Sequence, residues 1–176
     1  MCGAFHPAWG RGSALASFED GLIALLPRLR RFAHGLAGNP ADADDLSQIA
    51  VERALRSRDQ WQDGTRLDSW LYRIARNAWI DTARARGRQA RTILPEEAGE
   101  HVGHDPRKEI EAGLELGIVL RAMHELPMEQ REVLLLVLVE GLGYRETAEI
   151  LDLPIGTVSS RLTRGREALM GLLGEE

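Results

Sequence analysis

The sequence predicts an all-α protein built as two small helical domains joined by a flexible linker, and three observations lead there. Apolar residues recur at helical spacing through most of the 176 residues, and the alternation expected of strands is absent. A stretch rich in glycine, proline and acid, residues 95–106, interrupts that periodicity. The segment from Tyr144 to Leu169 carries the spacing of a helix-turn-helix. These set the boundaries at an irregular N-terminus (1–16), a first helical domain (17–91), an acidic linker (92–108) and a second helical domain (109–176).

In the first domain, Phe18, Leu22, Leu25, Leu26, Leu29, Phe32, Ala33 and Leu36 keep helical spacing behind Ser17, a candidate cap, and Pro27 is expected to kink or split the helix. A second helix opens at Asn39-Pro40, a capping residue followed by proline at the first helical position, and runs through Leu46, Ile49, Ala50 and Ala54. Polar residues from Ser57 to Asp68 form a loop. A third helix follows from Ser69 to about Arg86, with Leu71, Ile74, Ala75, Ala78 and Thr82 facing inward and Trp70, Arg73, Asn77, Asp81 and Arg84 outward.

The second domain is expected to begin a helix at Asp105-Pro106 and to carry it through Leu114, Val119, Leu120 and Met123 as far as Leu126-Pro127. Another helix spans Met128 to Glu140 and stops at Gly141. In the helix-turn-helix, Ala148 and Leu151 point inward from the first helix, Leu153-Pro154-Ile155-Gly156 makes the turn, and Thr157 caps the second helix. With Val158, Leu162 and Leu169 buried, the 3.6-residue period puts Ser160, Thr163 and Arg164 on the opposite face, flanked by Ser159 and Arg161. Short hydroxyls and arginines on such a face suit base and phosphate contacts in a DNA major groove.

Net charge is −5, which is wrong for a protein that coats nucleic acid through bulk attraction, so DNA contacts must come from local patches. One lies between Arg66 and Arg91, where seven arginines face only Asp68 and Asp81. The stretch that follows, from Ile93 to Glu111, is acidic, with Glu96, Glu97, Glu100, Asp105, Glu109 and Glu111 against Arg107 and Lys108. The single cysteine, Cys2, excludes an internal disulfide. No apolar run approaches the length of a membrane span, so a cytoplasmic protein without membrane insertion is expected. His101 and His104 alone make a poor metal site, and neither a cofactor motif nor a nucleophile-base arrangement is present, so no metal, cofactor or catalytic residue is expected.

Three stretches in order, Asp42-Ala-Asp-Asp-Leu-Ser-Gln48, Ser69-Trp-Leu-Tyr-Arg-Ile-Ala-Arg-Asn77 with Ile80-Asp81, and Leu126-Pro-Met-Glu-Gln-Arg-Glu-Val133 leading into the terminal motif, resemble the extracytoplasmic-function group of bacterial sigma-70 factors with only regions 2 and 4. The resemblance covers roughly residues 17–172. It implies a first domain that binds core RNA polymerase and melts the promoter −10 element, a second domain that reads the −35 element, and an anti-sigma factor as partner.

On that resemblance, Asp44, Asp45, Gln48 and Glu52 form the polymerase-docking face, while Asp42 serves only the helix N-terminus. Trp61, Gly64, Thr65, Arg66 and Asp68 correspond to the loop that holds an extruded −10 base, followed by Arg73, Arg76, Asn77 and Arg84 as phosphate and base-edge donors. Trp61, Trp70 and Trp79 are read as core rather than as stacking platforms. Thr157, Ser159, Ser160, Arg161, Thr163 and Arg164 form the −35 reader. The acids from Glu96 to Asp105 resemble a nucleic-acid mimic able to lie in the polymerase channel.

Two positions depart from the family pattern: Ser159 stands where members commonly carry a basic residue, and Asp152 where glycine often permits a left-handed turn. Competing readings are a sigma mimic that sequesters an anti-sigma factor, a stand-alone helix-turn-helix regulator and a recombinase. Lack of room for a receiver domain counts against the first, the acidic docking helix against the second, and the missing catalytic constellation against the third. The linker permits an extended arrangement of the two domains or a closed, self-inhibited one.

Overall fold

The computed structural model describes residues 18–62, 64–92 and 114–174. Among them are seven α-helices and no strand. Ser17, the helix start at Asp105-Pro106, the linker acids, His101, His104 and Cys2 lie outside the described residues.

Helix α1 (Phe18–Ala37) buries Phe18, Leu22, Leu25, Leu29, Phe32, Ala33 and Leu36, the stripe its spacing requires. It runs unbroken through Pro27, contrary to the expected split. Proline removes the bond to the carbonyl four residues back, that of Ile23, and crowds it, and Ile23 lies on the exposed side of the helix at 64%. Helix α2 (Pro40–Arg56) starts as expected: the Asn39 side chain accepts the Asp42 N–H at 2.9 Å and proline follows the cap. A short 3₁₀ turn (Arg58–Gln60) leads through the loop to α3 (Leu67–Thr92), which begins two residues earlier and ends later than its apolar pattern indicates.

In the second domain, α4 (Leu114–Glu125) and α5 (Met128–Leu134) meet at Leu126-Pro127. The chain then makes one π-helical turn, Leu135–Val139, marked by the Glu140 N–H donating to the Leu135 carbonyl at 2.9 Å, and Gly141 ends it at φ +70°. Helices α6 (Tyr144–Leu151) and α7 (Ile155–Gly174) form the helix-turn-helix. The Glu146 carboxylate reaches back to the Gly143 N–H at 3.1 Å, half of a capping box. Asp152 occupies the left-handed region (φ 55°), so the turn keeps the geometry that glycine would otherwise supply. It is tighter than the sequence indicates: α7 begins at Ile155, where the Pro154 carbonyl takes the N–H groups of Thr157 and Val158, so Thr157 lies inside the first turn and does not cap it.

The two domains share one core. Helix α1 packs on α4, α5 and the π turn, and α3 packs on α6. Of the two arrangements the linker permits, this is the closed one.

Candidate nucleic-acid and polymerase interfaces

Three surfaces carry the residues singled out from the sequence. On α2, Asp44, Asp45, Gln48 and Glu52 are all exposed, because Ala43, Leu46, Ser47, Ala50 and Ala54 occupy the buried side. Gln48 Nε2 donates to Glu52 at 3.3 Å, and Arg56 approaches Glu52 at 3.8 Å. The same stripe continues to Leu55, which is 48% exposed and which charge and polarity alone did not single out. Asp42 does more than serve a helix terminus. It accepts from Arg86 of α3 at 2.8 Å, and that bond, together with Asn39, holds its carboxyl down from 3.8 to about 2 despite partial burial.

The second surface is α3 with the loop before it. Gly64 at φ +88° and Thr65, whose hydroxyl donates to the Gln62 carbonyl, are exposed. Trp61 is packed against Phe18 with centroids 5.3 Å apart, so it forms a wall of the core and is not an open stacking platform. Trp70, expected to face outward, packs on the same phenylalanine edge-on at 6.0 Å. Trp79 lies under the Arg86 guanidinium at 5.9 Å. Asp68 is nearly buried, accepting from Arg66 at 2.6 Å, from Arg28 at 3.3 Å and from the Ser69 N–H at 2.8 Å. Burial pushes its carboxyl up, but these donors outweigh burial and leave it below its ordinary value. Its role in this conformation is therefore structural.

Arginines of the same surface are turned onto the second domain. Arg66 pairs with Glu146, Arg73 donates to the Glu149 carbonyl at 2.8 Å, and Arg76 donates to Glu132 at 2.7 Å. Asn77 and Arg84 remain exposed beside them.

The third surface is α7. Val158, Leu162, Gly165 and Leu169 are buried, and Ser159, Ser160, Thr163 and Arg164 are exposed, as the period requires. Thr157 and Arg161 are half-buried at the edges, and Arg161 approaches Glu132 at 3.6 Å. The hydroxyls of Ser160 and Thr163 and Nε of Arg164 bond backwards to carbonyls of their own helix.

Sequence periodicity missed two charged centres. The Glu140 carboxylate, fully buried, accepts from Arg28 and Arg31 at 3.0 Å each and from the Tyr72 hydroxyl at 2.6 Å. Burial, then the Glu140 charge and hydrogen bond, push the Tyr72 hydroxyl well above its ordinary pKa, so Tyr72 is the donor. Arg131, also buried, donates to the carbonyls of Met123, Leu36, His124 and Leu126, at the C-terminal ends of α4 and α1 where the helix dipoles are negative. The signal for both was a pair of acids and an arginine framing the apolar run Val133–Val139.

Among the described residues there is no helix long and apolar enough to cross a membrane and no cluster of side chains that could hold a metal.

A helical first domain joined to a helix-turn-helix domain defines a two-part factor of the sigma-70 class. The family model for Sigma-70 region 2 matches residues 22–89, and that for Sigma-70, region 4 matches residues 116–169. The ECF RNA polymerase sigma factor EcfG of Rhodopseudomonas palustris is 37% identical over 157 residues, 89% of this chain and 85% of that protein. SigE of Mycolicibacterium smegmatis, also an ECF RNA polymerase sigma factor, is 37% identical over 174 residues, covering 98% of this chain and 67% of its own. The sigma factor RpoE of Bartonella quintana, solved in complex with the anti-sigma factor NepR, superposes with a TM-score of 0.75 at 31% identity over 89% of this chain and 96% of that one. The chain belongs to the ECF RNA polymerase sigma factors and directs transcription initiation.

Proposed function

We propose a residue-level division of that task. Asp44, Asp45, Gln48 and Glu52 dock α2 on a basic surface of core RNA polymerase, with Leu55 as the apolar anchor at the end of the stripe. Gly64, Thr65, Arg66, Arg73, Arg76, Asn77 and Arg84 engage the −10 element once its strands are separated. Ser159, Ser160, Thr163 and Arg164 enter the −35 major groove, with Thr157 and Arg161 on the phosphates beside it. The protein acts in the cytoplasm with the polymerase and has an anti-sigma factor as its antagonist, the kind of partner that the Bartonella relative holds.

The observation that supports this reading best is that the α2 stripe and the α7 face are both exposed while their opposite sides are buried, so each is available to a partner without unfolding. Run-off transcription with purified core polymerase on a genomic template pool tests it. Discrete transcripts that depend on the added protein are expected. Core-dependent transcripts unchanged by its addition would overturn it.

A further inference from the structure

Two arginines one turn apart on α1, Arg28 and Arg31, and a hydroxyl on α3, that of Tyr72, converge on a single carboxylate, that of Glu140. Its Oε2 accepts from Arg28 Nε at 3.0 Å, from a terminal nitrogen of Arg31 at 3.2 Å and from Tyr72 at 2.6 Å, and its Oε1 accepts from Arg31 Nε at 3.0 Å. The donors all belong to the first domain and the acceptor to the second. Such a cluster is a built anion site: two forked guanidiniums and a hydroxyl, set by their helix positions around an anion that is 0% exposed. A phosphodiester offers the same acceptor, one negative charge shared between two terminal oxygens.

The site adjoins the surface assigned above to the −10 element. Arg28 also reaches Asp68 Oδ2 at 3.3 Å, and Arg66 meets the same oxygen at 2.6 Å. Tyr72 is followed on α3 by Arg73 and, a turn further, by Arg76. For Arg66, Arg73 and Arg76 to engage DNA they must leave Glu146, the Glu149 carbonyl and Glu132, and the separation that releases them also withdraws Glu140. Arg28, Arg31 and Arg66 are then left with Asp68, so positive charge predominates, and two guanidiniums aimed at one point favour a new anion there. We propose that Arg28, Arg31 and Tyr72 form a phosphate-binding site for the separated promoter strand, extending the −10 surface from α3 onto α1, and that Glu140 occupies the place of that phosphate in this structure. The site depends on the −10 assignment made for α3 above. Arg31 brings charge to it, and Tyr72, a phenol with an ordinary pKa of about 10, brings a neutral donor.

The test uses holoenzyme reconstituted with core polymerase and single-stranded non-template oligonucleotides covering the −10 region of a promoter recovered by run-off transcription. Parent, Arg31→Gln, Tyr72→Phe and Glu140→Gln are compared, with circular dichroism to check helicity and competition against a labelled sigma factor to check core binding. Arg31→Gln should bind the strand about tenfold more weakly and lower the salt dependence by about 0.7 ion, the value for one phosphate of a single strand. Tyr72→Phe should weaken binding about threefold, the loss of one hydrogen bond, with the salt dependence unchanged. Glu140→Gln should bind as the parent does. Strands that each carry one neutral methylphosphonate in place of a phosphodiester then locate the contact: one such substitution should weaken the parent and leave Arg31→Gln unaffected. A loss in Glu140→Gln as large as in Arg31→Gln would mean that the cluster only supports the fold. Lost core affinity in Arg31→Gln would assign the arginine to a carboxylate of the polymerase, and a methylphosphonate series that affects both proteins alike would leave no phosphate for the site. Each of these results overturns the proposal. Strands that bind parent and Arg31→Gln equally overturn this site alone, whereas strands that the parent holoenzyme fails to bind overturn the assignment of α3 along with it.

Discussion

Arg76 of α3 and Glu132 of α5 are joined by a 2.7 Å bond from Nε to Oε2, and the environments of the two partners differ in a way that fixes which loss costs more. Glu132 is 2% exposed and Arg76 19%, while Arg161 stands 3.6 Å from the other carboxylate oxygen. Deleting Arg76 strands a buried carboxylate with one long contact, whereas neutralising Glu132 leaves two arginines that can still reach water. Breaking a buried pair from the wrong side costs about 3 kcal/mol. Arg76→Ala should therefore lower the urea-unfolding free energy by roughly 3 kcal/mol, and Glu132→Gln by about 1 kcal/mol. Equal or reversed losses would mean that the carboxylate is better hydrated than its surroundings allow.

Asp152 holds the helix-turn-helix bend at φ 55°, a conformation that strains any residue with a Cβ. Asp152→Gly should raise stability by about 0.5–1 kcal/mol, since relief of strain exceeds the extra entropy of glycine in the unfolded chain. Thermal unfolding of the pair measures it. A less stable glycine variant would show that the exposed aspartate contributes more through its charge than its backbone costs.

The salt bridge between Asp42 and Arg86 sets a pH window. With its folded pKa depressed from 3.8 to about 2, Asp42 contributes stability that is fully present above the unfolded value and is lost as pH falls through the folded one. Asp42→Asn should thus be less stable than the parent at neutral pH, with the gap closing between about pH 4 and pH 2. Paired denaturant melts across pH 2–7 give the curve, and a gap independent of pH would assign it to capping rather than to the ion pair.

Those three cases also show what the sequence could and could not disclose. The stripe Phe18-Leu22-Leu25-Leu29-Phe32-Leu36, the Asn39 cap and the inward set Val158-Leu162-Leu169 are legible because local periodicity and capping chemistry act within a few residues. The Tyr72–Glu140 and Arg28–Glu140 bonds span 68 and 112 positions, and no periodic pattern connects such partners. Among the candidate site residues, the α2 and α7 faces follow from which neighbours must be buried. The partner of Asp68 is hidden from periodicity for the same reason: Arg28 lies 40 residues away, on another helix. The start of α7 was misplaced because Pro154 could equally belong to the turn or stand just before the first helical position.

For the docking stripe, Asp45→Arg combined with Gln48→Ala places like charge against a basic partner surface and should abolish competition with a labelled sigma factor for core polymerase. Leu55→Glu should weaken it at least tenfold, since a half-exposed leucine at the end of a charged stripe is the apolar contact available there. Helicity should be unaffected, as all three side chains are exposed. Undiminished competition by the double variant would move the docking surface away from α2.

Two arginines of α7 differ in their surroundings. Arg164 is exposed in the middle of the outward face, and only its Nε is engaged, to the Ser160 carbonyl of its own helix at 3.3 Å. A bidentate contact from its terminal nitrogens to guanine would be worth about 1–3 kcal/mol of discrimination. Arg161 is half-buried at the edge, held near Glu132, and suits a phosphate. With Ser159 adding no charge, sequence preference at −35 rests on few groups. Arg164→Ala should therefore relax the preference at one or two −35 positions, whereas Arg161→Ala should weaken all sequences alike and lower the salt dependence by about one ion. Transcription from a randomised −35 library at several salt concentrations distinguishes them. If both variants keep the parental preference, the groove-facing side of α7 is not the one that carries Arg164.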